Sequence, residues 1–374
     1  MGFREGEAPA ESDFGLGSAR ASSSQNEARG LNEAKVETGM AGHLSARVEE
    51  GRRTLGRLFA PIQAELAEAE RVFQDELRSR FPFVQALVEH CGDYQGKRLR
   101  PALVLLSAKA SGRSNHAHAV LAAVVEMIHT ATLVHDDVLD ESLVRRHAAT
   151  VNAEWGNETA VMLGDYLFTH AFHLAASLDS TLACRLIGRA TNKVCEGEMM
   201  QLHNRGNLDL DEASYFDIIE GKTAELTAVS CQLGAHYAGA DAEVSESLDR
   251  YGRSLGIAFQ IADDVLDIWG EERATGKSLG TDLEKQKLTL PLIRLLAVGE
   301  PATAERARHL LGEAKAESRR ELRPMLEESG ALEYAWEKAR THVREAIEAL
   351  EALPPSDCRD VLATLAEYVV RRSS

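Results

Sequence analysis

From Leu44 the apolar residues fall at Leu44, Val48, Leu55, Leu58, Phe59, Ile62 and Leu66, a spacing that keeps returning to one helix face. Amphipathic segments of the same kind recur over roughly 79–91, 101–111, 115–141, 157–178, 181–204, 211–238, 243–270, 287–298, 302–312, 318–328, 331–352 and 357–372. No convincing alternating run lies between them. The breaks carry loop chemistry, as at Gly92-Asp93, Gly206-Asn207, the stretch from Gly270 to Gly280, and Pro354-Pro355. The pattern predicts an all-α domain over 43–374, packed around one centre. Residues 1–42 are rich in Gly, Ser, Ala, Asn and Glu without any hydrophobic period, so a disordered tail is expected there, and Met40 is a candidate true start.

Two places break the rule that buried helices avoid charge. The pentapeptide Asp-Asp-Val-Leu-Asp occurs at Asp136–Asp140 and again at Asp263–Asp267, each inside an otherwise apolar helical segment. Residues four apart share a helix face, so Asp136 stacks over Asp140 and Asp263 over Asp267. Near an apolar interior such like charges are costly unless they are paired or bound to a cation. The two clusters together predict one hard-cation site assembled from two helices.

Composition narrows the classes. The chain of 374 residues is 44% hydrophobic, enough for a large core. It shows neither a secretory leader nor an apolar run judged long enough to span a bilayer. Gly2 does not make a myristoylation signal, because position 6 is Gly. Five scattered cysteines without CxxC spacing point to reduced thiols in a cytoplasmic protein. A net charge of −17 argues against nucleic-acid binding, and most of the excess acid reads as solvated surface.

Basic residues suggest what the carboxylates hold. Gly96-Lys97-Arg98-Leu99-Arg100-Pro101 places cations at a loop-to-helix junction, Arg145-Arg146 follow the first cluster, Lys222-Thr223 sit in a helix, and Lys277 and Lys287 follow the second cluster. Taken singly each is an ordinary surface charge. Flanking two acidic clusters, they fit diphosphate groups bridged by Mg²⁺. Neither a Walker loop nor GxGxxG is present, so a nucleotide is poorly supported.

In this ordered set the chain resembles the polyprenyl synthetase family, the trans-isoprenyl diphosphate synthases. The motifs are the GKRLRP segment at 96–101, Glu126-x-x-His129, the run from Asp136 to Arg146, Gly221-Lys222-Thr223, Phe259-Gln260-x-x-Asp263-Asp264-x-x-Asp267, Gly276-Lys277, and Lys287 before Thr289-Leu290-Pro291. The resemblance implies an isoprenoid synthase fold, with antiparallel helices around a deep central cavity, and a homodimer. It implies that Asp136, Asp140 and Asp263 ligate several Mg²⁺ ions, with Asp137, Asp264 and Asp267 as supports. Arg145, Lys222, Thr223, Gln260, Lys277 and Lys287 would contact the allylic diphosphate or its reacting carbons. Lys97, Arg100, His129 and Arg146 would hold isopentenyl diphosphate. Asp136, Asp140, Lys222, Thr223, Gln260 and Asp263 would be the catalytic set. In isolation His129 reads as a satisfied core histidine and Gln260 as helix packing; only their motif positions give them these roles. His135-Asp136 also resembles the pair of metal phosphohydrolases, a reading that explains neither the second cluster nor the GKRLRP segment.

The expected activity is Mg²⁺-dependent extension of an allylic diphosphate, farnesyl diphosphate for example, by isopentenyl units to an all-trans, octaprenyl-like product for quinone side chains. Ala131, five residues before Asp136, leaves open a level that a large aromatic would close, with Thr132 beside it. An isoprene unit spans about one helical turn, ~5.4 Å, and a helix over 116–140 would run ~37 Å. Met127 or Leu163 is the alternative floor. A shorter, geranylgeranyl-type product, a terpene cyclase and a regulatory subunit of a heteromeric synthase are the rival readings. Both clusters are intact, which speaks against the last two. Weak membrane contact during product release is compatible with the sequence. Two departures from the family pattern stand out: Gln286-Lys287-Leu288-Thr289 replaces Gly-Lys-Pro-Thr, and Thr281-Asp282 stands where Asp-Asp is common.

Overall fold

The computed structural model describes residues 56–92, 96–146, 148–270 and 279–371. The expected tail, Met40, the first helical residues from 43, and Lys277 lie outside these. Sixteen helices carry the described fold: α1 (Gln63–Glu76), α2 (Pro82–Gly92), α3 (Leu99–Ala110), α4 (His116–Leu139), α5 (Val151–Trp155), α6 (Asn157–Ala176), α7 (Leu182–His203), α8 (Glu212–Ile219), α9 (Glu225–Tyr237), α10 (Ala242–Trp269), α11 (Thr281–Glu284), α12 (Leu290–Val298), α13 (Pro301–Gly312), α14 (Arg319–Glu328), α15 (Ala331–Ala349) and α16 (Asp357–Arg371). Between α4 and α5 a two-residue hairpin, β1 (Val144–Arg145) with β2 (Ala148–Ala149), pairs Val144 with Ala149. Strands this short leave no periodic trace in the sequence.

Helix α4 packs on α1 and α6, α3 on α9, and α10 on α9 and α15. One apolar cluster joins α1, α3, α4, α6, α7, α9 and α16 to the first half of α10. A second gathers α8, the end of α10 and α12–α15. Helix α4 is long and apolar enough to cross a membrane by length and composition, which corrects the expectation of no such run. Its residues are instead mostly buried in the fold, as a central core helix requires.

Local chemistry sets these boundaries. Asn115 caps α4, accepting from Ala117 N at 3.0 Å, while buried His118 returns Nδ1 to Asn115 N. Asp211 and Asp241 cap α8 and α10 in the same way through Ser214 N and Val244 N. The segment expected as one helix over 211–238 is split by a π-helical turn, Glu220–Ala224. This turn lies close to two neighbours because glycine faces it. A Cβ on Gly256 of α10 would come within 2.6 Å of Ala224 Cα, and one on Gly197 of α7 within 2.5 Å of Lys222 N. Single π turns inside α-helices often mark functional positions, and this one carries Gly221-Lys222-Thr223.

Candidate active site

The two aspartate clusters sit at the C-terminal ends of α4 and α10. In the first, the adjacent carboxylates part company. Asp137 is 1% exposed and its carboxylate is gripped by Arg145, with Nη2–Oδ1 at 2.8 Å and Nε to both oxygens at 2.9 and 3.0 Å. Asp137 was expected as a support and Arg145 as an allylic-diphosphate contact; the structure joins them to each other, locking the hairpin onto α4. Asp140 accepts from Arg205 Nη2 at 2.6 Å and Lys285 Nζ at 2.7 Å, with Lys287 Nζ at 3.7 Å. Burial acts to raise its pKa, but Lys287, Lys285 and Lys222 outweigh it and the carboxyl ends below its ordinary value. Asp136 lacks so full an escort. Burial, together with Glu198 and Asp140 and against Lys222 and Arg145, lifts it to about 6.

In the second cluster Asp264 is the buried member. It accepts from Tyr215 Oη at 2.6 Å and from Gln260 Nε2 at 2.8 Å, and Gln260 Oε1 accepts in turn from Thr223 Oγ1 at 2.8 Å. Burial and the charge of Asp282 push Asp264 well above the carboxylate range. Asp267 takes Thr281 Oγ1 at 3.0 Å and Asp282 N at 3.0 Å, so it fixes the chain that enters α11. Burial and Asp267 raise Asp282 to about 6, against Lys287, Lys285 and Lys222.

The same lysines therefore serve the first cluster and the acid beside the second: Lys222, Lys285 and Lys287 act on both Asp140 and Asp282. Lys222 is itself paired with Glu198 on α7. A cavity of about 90 Å³ opens beside this arrangement, lined in part by Tyr215, Lys222, Gln260, Asp264, Asp282 and Lys287. Among the described residues no three His, Cys, Asp or Glu groups converge as a ready-made metal cage. Carboxylates in pairs nevertheless suit Mg²⁺, which takes one or two of them and completes its shell with water and substrate phosphate.

Two turns before Asp136 on α4, and therefore on the same face, stands His129. Burial, then Arg100, Arg146 and Arg145, holds its pKa well below normal, so the ring is neutral beside a cationic group. Gly96 lies against the Arg146 guanidinium, where a Cβ would be 2.6 Å from Nη2. Arg98 has a left-handed backbone, φ 50°, and turns away from its neighbours to Glu70 and Glu126, meeting Glu126 Oε1 at 2.9 Å. Arg100 Nε is buried without an acceptor. Guanidinium groups crowded about a neutral imidazole have the charge and donors that suit an anion.

The residues expected to measure product length are placed in the core. Ala131 and Met127 are fully buried on α4 and Leu163 nearly so on α6, while Thr132 Oγ1 donates to His129 O at 2.8 Å. Sequence reasoning missed Glu198, Arg205, Lys285 and Tyr215.

The polyprenyl synthetase profile matches residues 82–329. The chain belongs to the polyprenyl synthetase family. It is 37% identical over 311 residues to the octaprenyl diphosphate synthase of Escherichia coli K12, covering 82% of this chain and 96% of that one. Among solved structures it is similar to a polyprenyl synthase from Caulobacter crescentus CB15 complexed with calcium and isoprenyl diphosphate, at 38% identity and TM-score 0.80 over 86% of this chain and 98% of that one. It is likewise similar to a decaprenyl diphosphate synthase from Rhodobacter capsulatus, at 34% identity and TM-score 0.81 over 86% and 99%. The fold is the all-α isoprenoid synthase fold, and the enzyme is a trans-prenyltransferase that makes polyprenyl diphosphate.

Proposed function

We propose that this enzyme extends an allylic diphosphate such as farnesyl diphosphate with isopentenyl diphosphate to an all-trans, octaprenyl-like diphosphate for quinone side chains. The observation that carries the reading is the placement of two anion sites along one face of α4. One is ringed by Asp136, Asp140, Lys222 and Lys287. The other is built from His129, Arg100 and Arg146, about 10 Å away at 1.5 Å per residue. Two diphosphates held side by side are what head-to-tail joining needs.

Asp136, Asp140 and Asp263 are the proposed Mg²⁺ ligands, and Mg²⁺ when bound would neutralise the departing diphosphate. Lys222, Lys287 and Lys277 would hold the allylic phosphates. Thr223 commits its proton to Gln260, so its hydroxyl lone pairs are left to face developing positive charge without attacking as a carboxylate would. Lys97, Arg100, His129 and Arg146 would fix the isopentenyl partner. Asp137, Asp264 and Asp267 act as supports through Arg145, Gln260 and Thr281. No side chain is an obvious base for the closing proton loss, which is assigned to the released diphosphate.

The small Ala131 supports a growing chain that passes it along α4, with Met127 and Leu163 further on. Similarity to octaprenyl and decaprenyl synthases supports the same length class. A homodimer is supported by apolar surface on α6 and α7, where Met162 and Met199 are 67% and 60% exposed. The setting is cytoplasmic, with membrane contact limited to product release. Purified full chain with Mg²⁺, labelled isopentenyl diphosphate and farnesyl diphosphate should yield long polyprenyl diphosphate by mass. Cyclised hydrocarbon, or no turnover by the chain alone, would overturn the reading. Ala131→Phe should shorten the product, and an unchanged length would remove Ala131 as the ruler.

A further inference from the structure

Asp140 is unusual among the site carboxylates because two separate basic side chains hold its two oxygens. Arg205 holds Oδ1 at 2.6 Å and Lys285 holds Oδ2 at 2.7 Å, and the Asp140 side chain is only 14% exposed. The two cations come from separate loops, Arg205 just after α7 and Lys285 just after α11. A backbone hydrogen bond ties the loops, Gly206 N to Gln286 O at 2.9 Å. Both residues of that bond have left-handed backbone, φ 74° at Gly206 and φ 53° at Gln286. A non-glycine residue in that region costs on the order of 1 kcal/mol or more, and such strain persists where surrounding structure fixes it. Here it is the turn that puts Lys285 on Asp140 and Lys287 behind it. Arg205 Nε, in addition, is buried with no acceptor, so this guanidinium has a donor left for a further anion.

A metal that coordinates Asp140 must compete with the two cations that already hold its oxygens. If a metal displaces them, two positive side chains and a divalent cation share a partly buried space, which is unfavourable until an anion enters. A diphosphate supplies that anion, and phosphate oxygens suit both guanidinium and ammonium. We infer that Arg205 and Lys285 are exchange cations, which hold Asp140 and pass to the phosphate oxygens when metal takes the carboxylate. The inference rests on the reading of Asp140 as a metal ligand. Its consequence is coupling: metal and diphosphate each bind weakly alone and strengthen one another by the same factor. The exchange makes the cation site open for metal mainly when a diphosphate accompanies it.

The test is calorimetric titration of the full chain with Mg²⁺ alone, and with Mg²⁺ in the presence of inorganic diphosphate. In the parent protein, diphosphate should tighten Mg²⁺ binding. The double variant Arg205→Gln with Lys285→Gln should bind Mg²⁺ alone about tenfold more tightly, and its tightening by diphosphate should shrink by about tenfold. Generic loss of positive charge would raise metal affinity in both arms and leave the coupling factor intact, which would overturn the inference. Arg205→Lys, which keeps charge and fold, should retain most of the coupling; loss of coupling there equal to the double variant would also count against it. Asp140→Asn separates the two levels. If it leaves Mg²⁺ affinity unchanged in the parent, Asp140 is no ligand and the underlying reading fails. If it weakens Mg²⁺ binding while the double variant leaves coupling untouched, only the exchange fails.

Discussion

The two Asp-Asp-Val-Leu-Asp segments are the same in letters and differ in what surrounds them. Their second residues do matching work, since Asp137 and Asp264 are both buried and both spend their oxygens on neighbours. The neighbours differ: Asp137 grips a guanidinium that pins a hairpin, whereas Asp264 grips a tyrosine hydroxyl and an amide that leads to Thr223. The last residues diverge further. Asp140 holds side-chain cations, and Asp267 holds the backbone of the α11 entry. Cation partners can be exchanged for a metal, but main-chain partners resist exchange because the turn they fix would have to unwind. A motif thus specifies where carboxylates project, and the elements packed on it decide which ones remain available for chemistry.

The largest effect should separate these last residues. Asp140→Ala removes a carboxylate that three cations converge on, and kcat/KM for chain elongation should fall by about 10³. Asp267→Ala loosens the α11 entry and should cost about tenfold less than that, with the loss appearing mainly in the KM for the allylic substrate. Steady-state assays with labelled isopentenyl diphosphate check both. Equal losses with equal KM would erase the distinction between exchangeable and structural carboxylates.

The second residues give the next test, in stability. Asp137→Ala leaves Arg145 facing a buried gap and should lower unfolding stability by about 3 kcal/mol, read as a shift in denaturation midpoint. Tyr215→Phe removes one donor from buried Asp264 and should cost about 1–2 kcal/mol. Its sharper signature is kinetic. With Asp264 less constrained, Gln260 is freer to turn its amide and Thr223 no longer keeps one orientation, so kcat should drop several-fold with little change in either KM. A melting shift without that kcat change would make Tyr215 a packing residue only.

How far the sequence discloses this difference depends on the kind of signal. Helix boundaries were legible because caps and periodicity are local, and the expected segments match α2 to α16 closely apart from the π turn and the short α5 and α11. The π turn was invisible because it arises from close approach to Gly197 and Gly256, which are distant in sequence. Adjacent helical residues point ~100° apart, so Asp137 and Asp264 could have been assigned away from the Asp136 and Asp263 faces from geometry alone. Arg205 and Lys285 carried no motif, yet the departure at Gln286 did flag their loop. Glu198 left only the weakest trace, an acid beside the glycine that admits Lys222.

The finest comparison is pH. Burial raises Asp136 in the first cluster and Asp282 beside the second to about 6, above the ordinary value of 3.8. Between those two values the folded state keeps these two groups protonated where the unfolded state has lost the proton, so each contributes stability in chelator that fades as pH rises from about 4 to 6. Each group contributes a slope of at most about 1.4 kcal/mol per pH unit. Asp140, held below its ordinary value by lysines, works with the opposite sign, contributing stability that is present well above pH 4 and lost as pH falls below it. Mg²⁺ affinity should run the other way, rising to about pH 6 as Asp136 ionises. Asp136→Asn should flatten the melting slope by one group and remove the pH dependence of metal binding. Asp282→Asn should flatten the melting slope alone. If instead Asp282→Asn removes the metal's pH dependence, the second cluster governs metal entry, and the assignment of exchangeable and structural carboxylates must be reversed.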